Sequence, residues 1–166
     1  MEFREAQKFG QWWFWLILAI TGLIPLYGIY KQLILGKEFG NNPASDLGLV
    51  IIAISVFGLI VLIRLVKLET EIDRDGIGIR FFPFFQKEFK WEDIAGARVV
   101  NYGLQGGWGI RLGTKFGTLY NISGKMGLAL EMKSGKKYCI GTQKEDELKR
   151  IVEKYQPVQY EKGKYR

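Results

Sequence analysis

Residues Val66 to Asp73 read VKLETEID. On an extended chain Val66, Leu68, Thr70 and Ile72 fall on one side and Lys67, Glu69, Glu71 and Asp73 on the other, the period of two expected of a half-buried strand. Directly upstream stands a stretch of another kind, LGLVIIAISVFGLIVLI, Leu47 to Ile63, with no charge and no polar face. The hydrophobic period therefore changes within a few residues, with no flexible linker between. That junction decides the fold: an apolar helical part passes straight into a β domain.

Working backwards, Trp12 to Tyr30 is a second uncharged run, WWFWLILAITGLIPLYGIY. As a helix it covers roughly 28 Å, close to the hydrocarbon thickness of a bilayer. A buried soluble helix should keep one polar face, and neither run has one. The two runs are expected to be transmembrane helices over 12–30 and 47–66, with Pro25 kinking the first or distorting its last turns. The first run is too long for the core of a signal peptide, and no small-residue cleavage site follows it. Trp12, Trp13, Trp15 and Tyr30 suit the water–lipid interfaces, and Arg64 and Lys67 are expected to reach the interface beyond the second run. The loop 31–46, with its Gly40-Asn41-Asn42-Pro43 turn, carries only Lys31 and Lys37. Six basic residues, Arg4, Lys8, Arg64, Lys67, Arg74 and Arg80, flank the other ends of the runs. The excess predicts an integral cell-membrane protein with residues 1–11 and everything after the second span in the cytoplasm, and 31–46 outside it.

Working forwards, Arg74-Asp75-Gly76 reads as a hairpin turn. Ile77, Ile79 and Phe81 alternate in a second strand ended by Pro83. Phe89 and Trp91 are expected to face inward on the next. Ile94 to Tyr102, then Trp108, Ile110 and Leu112, then Tyr120 and Ile122, then Leu128 to Met132, then Tyr138 and Ile140 continue the alternation. Thr142-Gln143-Lys144-Glu145 reads as a capping box. Leu148, Ile151, Val152 and Tyr155 follow at helical spacing, and Pro157 stops the helix. About seven short strands and one helix over 67–156 predict a small barrel or sandwich, with 157–166 a loose polar tail.

Strands followed by a C-terminal amphipathic helix resemble the pleckstrin-homology-like (PH-like) fold. With two spans in front, the chain resembles the bacterial PH-domain membrane proteins. The residues carrying the resemblance are IDRDGIGIR, FKWEDIAGARV, GGWGIR and YCIGTQ. It implies a mainly-β PH-like barrel with a C-terminal helix behind a membrane hairpin. It also implies a module that binds lipid, peptide or another copy of itself, without catalysis. Members that bind phosphoinositides use a basic cluster across the first hairpin. Here that hairpin offers Arg74 and Arg80, flanked by Asp73 and Asp75, so this recognition does not carry over.

The composition narrows the chemistry. The 166 residues include no histidine and one cysteine, Cys139. Histidine-based dyads and Cys/His zinc clusters are thereby excluded. The formal charge of +7 is spread along the chain, six Lys/Arg against four Asp/Glu up to residue 68 and eighteen against thirteen after it. A basic domain beside a membrane fits anionic lipid head groups, but a charge so spread, with no run of four basic residues, reads first as an ordinary mixed-sign surface, and it does not point to nucleic acid. The glycine-rich stretch Tyr102 to Lys125 resembles a phosphate loop at first, but no helix follows the glycines and no Gly-Lys-Ser/Thr occurs. No catalytic residue, cofactor or metal ligand is expected. The candidate groove for a partner or ligand is Gly106, Gly107, Trp108, Arg111 and Asn121. Against it stands the reading in which Trp108 is core and Arg111 points outward. The expected role is a non-enzymatic scaffold or binding module at the membrane, alone or as a homo-oligomer. The alternatives are an accessory subunit of a membrane transporter or protease complex, and a lipid-modifying enzyme.

Overall fold

The computed structural model describes residues 2–103 and 108–155. The chain divides into two compact units, Gly10–Leu65 and the residues on either side of it.

The first unit is a pair of helices, α1 (Trp12–Ile29) and α2 (Asp46–Leu65). α1 runs through Pro25, and its end widens into a π-helical turn over Tyr30–Ile34, so the helical run reaches further than Tyr30. Both helices are long and apolar enough to cross a membrane. Gly22, Pro25 and Gly28 form the buried stripe of α1, and Leu49 and Ala53 are the buried residues of α2. Gly22 lets Phe57 and Ile60 of α2 come close, since a Cβ there would lie 3.4–3.5 Å from their side chains. Small residues permit such close backbone approach where no water is available to drive burial. Ser45 starts α2, its hydroxyl oxygen accepting the Gly48 N–H at 3.2 Å, and so satisfies one of the orphan donors of the first turn.

The described residues of the second unit form nine strands and one helix: β1 (Phe3–Lys8), β2 (Lys67–Ile72), β3 (Gly76–Phe82), β4 (Phe85–Lys90), β5 (Ile94–Asn101), β6 (Gly109–Thr114), β7 (Gly117–Asn121), β8 (Met126–Met132), β9 (Lys137–Thr142) and α3 (Glu145–Tyr155). VKLETEID is indeed a strand, with Leu68, Thr70 and Ile72 buried. Four strands form one antiparallel sheet in the order β1-β2-β3-β4, and five form another in the order β5-β8-β9-β7-β6. In the second sheet β7 and β9 are parallel and the other pairs antiparallel. Among the described residues neither sheet closes into a barrel. The two share one core, in which Leu68, Ile72, Ile77, Ile79 and Phe89 meet Ile122, Leu128, Leu130 and Ile140, with Leu148 and Val152 of α3. Leu119 and Cys139 alternate away from that core and join Tyr102 in a smaller cluster.

Three details depart from the sequence-based expectation. First, the N-terminal segment is not separate from the β domain, because β1 pairs with β2 from Phe3↔Ile72 to Lys8↔Lys67. Second, Ile110 and Leu112, expected inward, are 43% and 79% exposed, since β6 is an edge strand. Trp91, expected inward, does pack half-buried against the core, but from a short 3-10 turn in which its Nε1–H donates to the Asp73 carbonyl at 2.8 Å. Third, α3 begins differently from a capping box. The Thr142 hydroxyl accepts the Lys144 N–H at 3.0 Å and donates to Glu5 Oε2 at 2.6 Å, while the Gln143 N–H donates to Glu5 Oε1 at 2.7 Å. The carboxylate in this arrangement comes from β1. Glu145 instead accepts from Lys149 Nζ at 2.6 Å.

Candidate functional site

Three of the five residues of the predicted groove, Trp108, Arg111 and Asn121, are among the described residues. Gly106 and Gly107 lie outside the described residues. Trp108 is 36% exposed, one residue ahead of β6, and sits edge-to-face on Phe9 with ring centroids 6.4 Å apart. Gly109 has φ +106°, so strand alternation does not extend back to Trp108 and its side cannot be read from parity. Arg111 is half-buried on β6, and Asn121 is 3% exposed at the end of β7. The Tyr102 hydroxyl donates to the Gly124 carbonyl at 3.2 Å, beside Asn121, and burial raises its pKa above that of an ordinary tyrosine. Asn121 is thus packed, while Arg111 and Trp108 are only partly covered.

A concave surface among the described residues lies on the outer face of the four-stranded sheet. A trough of about 700 Å³ is walled by Glu71, Asp75, Glu88, Lys90 and Trp91, among others. Its floor is cleared by Gly78, which stands in register between Glu71 and Glu88. Five carboxylates (Glu71, Asp73, Asp75, Glu88, Glu92) face two cations (Arg74, Lys90) around it. Several are engaged: Glu71 with Arg4 at 3.0 Å, Glu92 with Lys90 at 3.7 Å, and Asp73 with the N–H groups of Asp75 and Gly76. At one corner Tyr155 of α3 stacks on Trp91 at 5.2 Å. Glu2 closes that corner, accepting from Lys154 Nζ at 3.0 Å; the nearby Tyr155 hydroxyl and the Lys154 ammonium hold its carboxyl below the usual range, and the same proximity raises the Tyr155 hydroxyl. The sequence hides the trough, because it arises from cross-strand register and not from any local motif.

Of the interface residues, Trp12, Trp13 and Tyr30 are well exposed, Trp15 is half-buried and Arg64 is exposed. Lys67 is more than a lone anchor. Its Nζ pairs with Glu69 at 2.7 Å and lies 5.4 Å from the centre of the Phe82 ring. The Lys67 hydrogen bond holds the Glu69 carboxyl below the usual carboxylate range. Burial has the opposite effect on the thiol of Cys139, pushing it up to about 12, so it stays protonated and a poor nucleophile at neutral pH.

Comparison of the chain with protein-family models, characterised proteins and solved structures gives no match.

Proposed function

We propose that this chain is a non-enzymatic integral membrane protein. Its two apolar helices span the bilayer, and both ends of the chain are cytoplasmic. It holds a PH-like β module against the membrane face as a binding or scaffold element for protein or lipid.

One observation carries the reading. Both helices expose large apolar side chains on most of their surface, among them Leu16, Ile20, Leu23, Ile24, Ile51, Ile54 and Leu59. An apolar surface of that extent is unstable in water and stable in hydrocarbon. The flanking basic residues give the orientation. Two sheets over a common core, followed by a C-terminal helix, support the PH-like assignment. Nine strands and the parallel β7–β9 pair set the module apart from the seven-strand barrel of that resemblance.

Purification of the full chain from membranes in mild detergent separates the roles. Self-association without a stoichiometric foreign protein is the expected outcome for a scaffold. A single foreign membrane protein at fixed stoichiometry would instead make the chain an accessory subunit.

A further inference from the structure

Both strands that connect to the apolar helices do so at the same end of the four-stranded sheet. β1 ends at Lys8, and only Phe9, Gly10 and Gln11 precede α1. β2 starts at Lys67, with Val66 alone separating it from α2. Two residues of chain reach about 7 Å at most, so the head of β2 cannot leave the point where α2 ends.

The side chains at that end are mainly basic and aromatic, with one carboxylate, Glu69, paired to Lys67 at 2.7 Å. Lys8, Lys67 and Phe82 stand in one row across β1, β2 and β3. Beyond them the chain turns through Pro83 and Phe84 into β4. Pro83 is exposed and Phe84 is 57% exposed, an unusual place for a phenylalanine on a folded sheet. Phe81 braces the turn from beneath, with Phe84 and Phe85 at 6.1 and 5.9 Å. Lys67 and Arg80 flank the Phe82 ring at 5.4 and 5.8 Å. Trp108 joins them through Phe9, the residue after Lys8. The opposite end of the sheet is the Asp73–Gly76 turn, with Asp73, Arg74 and Asp75 beside Glu92.

From this placement we infer that the Phe82–Phe85 turn, with Trp108, is an interfacial anchor that dips into the leaflet crossed by the two helices. Lys8, Lys67 and Arg80 meet lipid phosphates around it. The inference rests on the reading that α1 and α2 span a bilayer. Exposed aromatic rings ringed by Lys and Arg are the residue mix that settles at a lipid headgroup layer, the rings leaving water and the cations pairing with phosphate. Any surface that receives the helices must also lie close to this end of the sheet. The opposite end, with its carboxylates, would be repelled by anionic lipid.

The test places one environment-sensitive fluorophore on the full chain, reconstituted in bilayers of zwitterionic and anionic phospholipid. Three variants are made, Gln86→Cys, Asp75→Cys and Ile54→Cys. The buried, protonated Cys139 does not compete for the label. Gln86 lies two residues past Phe84, so the aromatic turn stays intact. Expected are loss of most Gln86 emission with a spin label on the lipid headgroups, loss of Ile54 emission with a spin label deep in the acyl chains, and no loss at Asp75 with either. Adding Phe84→Asp to the Gln86→Cys chain should restore most of its emission. If Ile54 is quenched and Gln86 is not, the anchor is overturned and the spans stand. If Gln86 stays quenched with Phe84→Asp, the aromatic turn is not what holds the module down. If Ile54 is unquenched, the membrane reading fails and the anchor with it.

Discussion

Glu5 links the two ends of the β unit. It is 6% exposed, and its two oxygens accept the Thr142 hydroxyl and the Gln143 N–H across 137 and 138 residues of chain. Two positions on, Gln7 donates to the Gly141 carbonyl at 2.6 Å. Hydrogen bonds to a buried carboxylate are strong, and removing one partner leaves the other unsatisfied. Glu5→Ala is expected to lower stability by about 3 kcal/mol, and Thr142→Ala by about 1 kcal/mol. The double variant should lose less than the sum, because both changes remove the same bond. Denaturant unfolding in detergent measures all three, and strict additivity would separate Glu5 from the helix start. The segment FREAQK gives little sign of this role. Two of its three inward positions are polar, so its alternation does not look like that of a buried strand, and no local rule points from Glu5 to a threonine so distant in sequence.

At the scale of elements, the glycine-rich stretch becomes a hairpin, β6 and β7, whose glycines act in two ways. Gly109 and Gly117 both have positive φ, +106° and +79°. A Cβ on Gly109 would meet nothing, so only its backbone conformation calls for glycine. A Cβ on Gly117 would run into the carbonyl and side chain of Lys137, because the parallel pairing brings β9 against the start of β7. Gly109→Ala is expected to cost about 1–2 kcal/mol. Gly117→Ala should cost clearly more, since β9 must also shift. Equal losses in denaturant unfolding would show that β7 and β9 are not packed in this way. The hairpin of β2 and β3 is legible in the sequence, because Arg74-Asp75-Gly76 supplies the turn and alternation on both sides sets Ile72 opposite Ile77. The β7–β9 pair is not, since a parallel partner leaves no turn in the sequence. Trp108 escapes sequence reasoning for a related reason, as parity counted through Gly109 assumes a φ that residue does not have.

At the scale of the molecule, the two units follow from the two hydrophobic periods. Runs apolar on every face form α1 and α2, and segments alternating by two form sheets; both periods meet in the sequence at the junction of Ile63 with Val66 to Asp73. What the period does not show is that the β unit draws its first strand from the other side of the helices. The chain leaves this unit through β1 and re-enters it through β2, and the strands paired from Lys8↔Lys67 to Phe3↔Ile72 bring the two crossings together. The central claim is that those crossings lead through a bilayer with the β unit on the cytoplasmic side. The most direct test is cysteine labelling in intact cells with a membrane-impermeant maleimide, using Asn41→Cys in the loop between the helices and Lys136→Cys in the turn between β8 and β9. Labelling of Asn41→Cys in intact cells, with Lys136→Cys labelled only after permeabilisation, is the predicted result. The reverse pattern, or equal labelling of both from outside, would contradict it.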